Sequence, residues 1–162
     1  MPGRPIRVPT VLLVRLKKDL GEGEYLPKTL DLLAQGLKAQ ALSLVNPRSA
    51  TSAPSFPRDV EFYWLTGPAP GFCGSGGCSS QLYWVSPSAA TSGLLFPTTL
   101  PEEANAFNRS PVVLRGSTNG LFDLDLFEAS TAHPGSRRAA PAPEATLTFD
   151  GHRYVVRLKK QP

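Results

Sequence analysis

The feature that most constrains this chain is its punctuation. It carries 14 glycines and 17 prolines among 162 residues, spread along its whole length. Proline inside a helix removes a hydrogen bond and clashes with the preceding turn, and glycine weakens both helix and strand. Such a chain is expected to fold as short elements joined by many turns and some loose loops.

Alternation fills the intervals between these breaks. In residues 121–127, Phe122, Leu124 and Leu126 oppose Asp123 and Asp125, the period of two that marks a half-buried strand. In 59–65, Val60, Phe62 and Trp64 share one face while Glu61 and Tyr63 share the other. Residues 81–86 repeat that style, with Leu82 and Trp84 against Gln81 and Tyr83. Residues 111–115 read as a short strand, and 146–149 and 153–159 as a hairpin turning at Asp150-Gly151. Residues 8–16, rich in Val and Leu, read as a further strand that ends before Gly21 and Gly23.

The one expected helix covers 27–42. Leu30, Leu33, Ala34, Leu37 and Ala41 fall on a single apolar face, and Pro27 suits a first helical turn. Gly36 weakens this helix by about 1 kcal/mol relative to Ala, so packing must hold it. The expected fold class is therefore α+β, one amphipathic helix packed on a mostly antiparallel β-sheet with long Pro/Ser-rich loops. The length suits a single domain over 1–162, with a β-rich part at 59–160 and mobile loops at 46–58 and 128–145. Trp64 and Trp84 are expected in the core under the helix, which leaves Tyr63 and Tyr83 on the other face of the sheet.

The formal charge of +4 comes from the two ends of the sequence. Residues 1–20 contribute +4 and 151–162 another +4, while 21–150 hold 8 basic and 12 acidic residues. The pentapeptide Val-Arg-Leu-Lys-Lys occurs at both 14–18 and 156–160. Solvated lysines at strand ends protect sheet edges from pairing, which is the plain meaning of such segments. Were the two segments neighbouring strands, Arg15, Lys17, Arg157 and Lys159 would form a basic stripe. With Tyr63 and Tyr83 exposed beside it, that stripe would suit single-stranded nucleic acid.

Cys73 and Cys78 are the only cysteines, separated by Gly74, Ser75, Gly76 and Gly77. Glycine permits the tight return that brings two cysteines within disulfide range, so the pair reads as a local disulfide at a loop tip, with a reduced pair as the alternative. Two cysteines with distant His133 and His152 do not make a zinc set, so no metal and no cofactor are expected. A nucleophile at Cys73 or Ser75 would need a helix start and a positioned histidine, and the following glycines supply neither. No catalytic residue is assigned and the chain reads as a non-enzyme. Asp123, Asp125 and Glu128 lack the spacing of a calcium loop and read as the wet face of a strand. Asn108-Arg109-Ser110 fits a glycosylation pattern weakened by Pro111.

The order of these motifs resembles a group of uncharacterised bacterial exported proteins, often lipoproteins, that carry a short Cys-Gly-x-Gly-Gly-Cys loop. The resemblance rests on Phe72-Cys-Gly-Ser-Gly-Gly-Cys78, on Thr118-Asn-Gly120 with Asp123-Leu124, and on Leu147-Thr-Phe-Asp-Gly-His-Arg-Tyr154, and covers roughly 25–157. It implies an extracytoplasmic α+β domain with one disulfide and no established activity. Phe56-Pro-Arg-Asp59 stands where that group carries an Asp-x-Asn-Gly-Asp-Gly turn.

No stretch reaches the ~18 apolar residues of a transmembrane helix. The apolar run after the basic N-terminal residues is cut by Arg15, Lys17 and Lys18, so a clean signal peptide is not legible, and the residues alone leave a cytoplasmic location open. The reading is a periplasmic or secreted binding module that uses the Gly74–Gly77 loop on an unidentified protein or cell-envelope component. The alternative is a small nucleic-acid-binding domain. A hydrolase built on Cys73 or Ser75 is the third reading.

Overall fold

The computed structural model describes residues 8–19, 38–48, 56–66, 73–74, 77–78, 80–96, 109–128 and 145–158. Among these lie one helix, α1 (Thr10–Asp19), and ten strands. The strands are β1 (Lys38–Leu42), β2 (Glu61–Thr66), β3 (Cys73–Gly74), β4 (Gly77–Cys78), β5 (Ser80–Ser86), β6 (Thr91–Phe96), β7 (Arg109–Thr118), β8 (Leu121–Glu128), β9 (Ala145–Phe149) and β10 (Tyr154–Leu158). A first four-stranded sheet has the order β1-β2-β5-β6, and a second has the order β10-β9-β8-β7. Every neighbouring pair is antiparallel. The expected α+β class, one helix on one sheet, is therefore corrected. Two antiparallel sheets enclose the main core, and the single short helix covers the outer face of the first.

The helix is not where the pattern put it. Residues 38–42 of the expected helix form β1, paired with β2 from Lys38↔Thr66 to Leu42↔Phe62. Residues 27–37 lie outside the described residues. Lys38–Leu42 also satisfies a period of two. Leu42 packs into the core between the sheets and Ala39 toward α1, so the strand completes the edge of β2.

Residues 8–16, expected as a strand, instead supply α1. A short apolar run fits a buried helix as well as a strand. The turn begins at Pro9, whose carbonyl accepts from Leu12 N at 3.0 Å and Leu13 N at 3.3 Å. Val8, Leu12 and Leu16 then form one stripe against Tyr63, Leu65, Tyr83 and Val85. Arg15 secures the helix laterally, its Nη1 donating to Ser92 O at 3.2 Å.

The first sheet is thus buried on both faces. Phe62, Trp64 and Leu82 meet Leu121, Leu124, Leu126, Leu147, Phe149 and Tyr154 of the second sheet. Tyr63, Leu65, Tyr83 and Val85 face α1. The alternation in 59–65 and 81–86 holds, but the assignment of faces is reversed. The tryptophans point between the sheets and the tyrosines lie under the helix. Phe56, within the stretch expected as a Pro/Ser loop, packs against Phe62, Trp84 and Phe149 with ring centroids 5.6, 5.5 and 6.4 Å away.

A segment after β1 reaches across to the second sheet. After β1 the chain reaches the start of β8, where Leu44 O accepts from Phe122 N at 2.8 Å and Asn46 N donates to Gly120 O at 2.9 Å. Asn119 and Gly120 turn β7 into β8 with φ of +53° and +89°, the geometry of a type I′ hairpin. Asn119 Nδ2 donates to Phe149 O at 2.9 Å, tying this turn to the β9–β10 hairpin. That second hairpin turns at Asp150-Gly151 as the sequence indicates. Asp150 Oδ1 accepts from His152 N and Arg153 N at 2.8 and 2.9 Å, and Gly151 takes φ of +107°.

β6 carries no sequence signal because Gly93 interrupts it. The glycine sits directly opposite Trp84, whose indole lies over its backbone. A Cβ at Gly93 would fall on the indole nitrogen and 2.8 Å from Cε2, whereas one at Gly116 would meet only Asp123 Oδ2 at 3.6 Å. Overpacking of this kind costs about 1–3 kcal/mol, while an ordinary surface change stays within about 0.5 kcal/mol. Gly93→Ala is therefore expected to lower the urea midpoint clearly and Gly116→Ala to leave it nearly unchanged.

Candidate functional site

The two cysteines occupy a hairpin of their own. β3 and β4 pair antiparallel with the register Cys73↔Cys78 and Gly74↔Gly77, which leaves Ser75 and Gly76 between them in sequence. Residues directly opposite in such a ladder have Cα atoms about 4.5–5.5 Å apart. That spacing falls inside the window of about 4.4–6.8 Å that a disulfide requires. The hairpin lies between the last residue of β2 and the first of β5, which are themselves paired as Thr66↔Ser80. It is therefore an excursion carried on two adjacent strands of a sheet that is packed on both faces.

Among the described residues, those proposed for an anion or nucleic-acid surface lie on different elements. Arg15 and Lys17 are on α1 and Arg157 is on β10, so one pentapeptide is helical and the other begins in a strand. Lys159 lies outside the described residues. Arg157 Nε donates to Thr148 Oγ1 at 3.2 Å on the outer face of the second sheet. Tyr63 and Tyr83 are direct cross-strand partners, but they are 5% and 0% exposed. Their hydroxyls donate to Glu61 Oε2 at 2.8 Å and to Gln81 Oε1 at 3.1 Å. Burial, with the Glu61 carboxylate adding to it, pushes the Tyr63 phenol far above the ordinary range. The expected exposed tyrosine platform is corrected accordingly, because the helix occupies the face on which bases would stack.

The acidic strand is a hydroxyl-lined sheet face. Thr118 Oγ1 donates to Asp123 Oδ1 at 2.8 Å, and Thr146 Oγ1 donates to Asp125 Oδ1 at 2.6 Å. Among the described residues no three His, Cys, Asp or Glu side chains converge as a metal-binding group. His152 is exposed in the β9–β10 turn. His133 and Asn108 lie outside the described residues. Among the described residues no helix is long and apolar enough to cross a membrane.

Sequence reasoning passed over Asp59. At the opposite end of the first sheet from the cysteines, Asp59 Oδ1 accepts from Ser86 Oγ at 2.7 Å and Oδ2 from Ser88 N at 2.7 Å. It fastens the approach to β2 onto the β5–β6 turn, 27 residues away at Ser86. The only local signal is an Asp beside the Pro87-Ser88 turn in space, and no spacing along the chain carries that.

The Ser86 hydroxyl and the Ser88 amide hold the Asp59 carboxyl down at about 2, from an ordinary value of 3.8. A carboxyl lowered on folding stabilises the fold above its unfolded value and ceases to do so as pH falls through the folded one. The Asp59 carboxyl carbon is expected to titrate near pH 2 by NMR. Ser86→Ala should raise that midpoint, and the stability gap between wild type and Asp59→Asn should shrink as pH falls from 4 through 2.

Compared with protein-family models, with curated proteins and with solved structures, the chain matches none of them.

Proposed function

We propose that this chain is a non-enzymatic binding module that works outside the cytoplasm and presents the Gly74, Ser75, Gly76 and Gly77 loop to a protein or a component of the cell envelope. In this reading Cys73 and Cys78 form a disulfide that fixes the loop tip. The observation that carries it is the backbone register, which sets the two cysteines directly opposite each other. A glycine-rich tip lets a partner approach the backbone closely, and the sheet beneath it is anchored on both faces. The disulfide closes a very small ring, which in the chain-entropy model adds only about 2 kcal/mol. Its role is to shape the tip rather than to hold the sheets together.

Protein taken from its native compartment and alkylated without reduction is expected to show neither cysteine modified by mass spectrometry. Two freely alkylated thiols would overturn the extracytoplasmic reading. A photo-crosslinking residue at Ser75 is expected to capture an envelope partner in intact cells, whereas the same residue at Ser88, at the opposite end of the sheet, should capture none. Equal capture from both positions would remove the loop as the contact element.

A further inference from the structure

Four asparagines occur in the chain, followed by Pro47, Ala106, Arg109 and Gly120. An asparagine loses its amide when the backbone nitrogen of the next residue attacks its Cγ. Pro47 has no N–H to give up. The side chains of Ala106 and Arg109 crowd the attacking nitrogen, and Gly120 has no side chain to do so. Asn119-Gly120 is therefore the pair whose covalent structure most favours the reaction.

The closed turn opposes it. Asn119 and Gly120 take φ of +53° and +89°. The first central residue of a type I′ turn has ψ of about +30°. At that ψ the Asn119 Cβ lies nearly anti to Gly120 N across the Cα–C bond, so Cγ is out of the nucleophile's reach. The Asn119-Gly120 peptide must swing most of the way round before the two atoms can meet. Hydrogen bonds on both sides resist that swing. Asn119 Nδ2 donates to Phe149 O at 2.9 Å, which holds the amide toward the β9–β10 hairpin. Asn46 N donates to Gly120 O at 2.9 Å and Phe122 N to Leu44 O at 2.8 Å, so the crossing segment clamps Gly120 from the other side. Asn119 is nevertheless exposed, with water and solvent base at hand.

We propose that Asn119 is a self-modifying site gated by this turn. It converts to aspartate and isoaspartate only from the open turn, and the product does not restore the bond to Phe149. In the open turn Gly120 N gives its proton to solvent hydroxide and bonds to Asn119 Cγ. The Cγ–Nδ2 bond breaks, and ammonia leaves with a proton taken from water. Water then adds to one carbonyl of the five-membered imide and breaks its bond to the ring nitrogen. Attack at one carbonyl gives aspartate, and attack at the other gives isoaspartate. Either product puts a carboxylate where Nδ2 donated, acceptor against acceptor at Phe149 O. Isoaspartate also lengthens the backbone of a two-residue loop that sets the pairing of Thr118 with Leu121. The site shares no residue with the cysteine hairpin and does not depend on its redox state or contacts.

The full chain, incubated at mildly alkaline pH, is followed at Asn119 by peptide mass spectrometry, with the same chain in denaturing urea as the open reference. Conversion from the open state alone makes the folded rate the urea rate reduced by the fraction open, and a reduction of about ten-fold or more is expected. Asn46→Ala removes the 2.9 Å bond from Asn46 Nδ2 to Ser117 Oγ. It should raise hydrogen exchange at the Phe122 amide and conversion at Asn119 in the folded chain by the same factor, and leave the urea rate unchanged. Asn119→Asp, standing in for one product, should lower the urea midpoint. Equal rates in the folded and urea-treated chains, conversion that does not follow Phe122 exchange, or an unchanged midpoint in Asn119→Asp would overturn the proposal.

Discussion

The arrangement depends on one constraint, the burial of the first sheet on both faces. β2 has four consecutive buried residues, Phe62, Tyr63, Trp64 and Leu65. A pleated strand sends these to opposite sides, so neither face can be left to water. Each large apolar side chain fully withdrawn from water contributes about 1.5–3 kcal/mol. The second sheet covers Phe62 and Trp64, and a single short helix covers Tyr63 and Leu65. α1 is held by this docking, since ten residues are too few to be helical alone. The tyrosines suit the helix side because each hydroxyl finds an acceptor two residues away on its own strand, Glu61 or Gln81. An indole or phenol in the core needs the same satisfaction. Tyr154 meets it by donating to Phe122 O at 2.8 Å.

The union of the sheets adds a polar requirement. The chain passes from β1 to the second sheet through Leu44, which is fully buried, so its backbone must find partners there. It finds them around the Asn119-Gly120 turn. Phe122 N and Gly120 O receive the crossing segment, Asn46 Nδ2 donates to Ser117 Oγ at 2.9 Å, and Asn119 reaches Phe149 O. One tight turn thereby joins the crossing, the β7–β8 hairpin and the end of β9. Asparagine serves well because it accepts the left-handed conformation and still has an amide to donate.

The strands of the second sheet were legible in the sequence because they have one wet face, but that they form a sheet of their own was not. Asp123 and Asp125 alternating with Leu124 and Leu126 admit one reading, and Asp150-Gly151 marks its hairpin. The first sheet was legible only as strands. With both faces buried, the alternation between tryptophan and tyrosine does not say which neighbour covers which side. Residues 8–16 were ambiguous for a related reason, since Val and Leu in a short run satisfy a buried helix and a strand alike. β1 was hidden by an apolar face that also fits a helix, and β6 by Gly93, whose role as the floor under Trp84 exists only across the sheet. At the candidate site the cysteine spacing was visible in the chain. Asp59 was not, because its partners are distant in sequence and meet it only when the β5–β6 turn closes.

The repeated pentapeptide shows how little the net charge directs. Val-Arg-Leu-Lys-Lys at 14–18 belongs to a helix lying on the first sheet, and its copy enters the edge strand of the second. Arg15 is used on a backbone carbonyl and Arg157 on a threonine hydroxyl, so both guanidinium groups serve packing. The carboxylates of Asp123 and Asp125 are likewise engaged by neutral hydroxyls. The first sheet ends differently on its two sides, where its strands stop and the chain must leave the packed layers. At one end it leaves as the cysteine hairpin between β2 and β5. At the other, β1 departs before β2 begins, and the step between them is a cleft lined by apolar side chains together with Arg58 and Glu61.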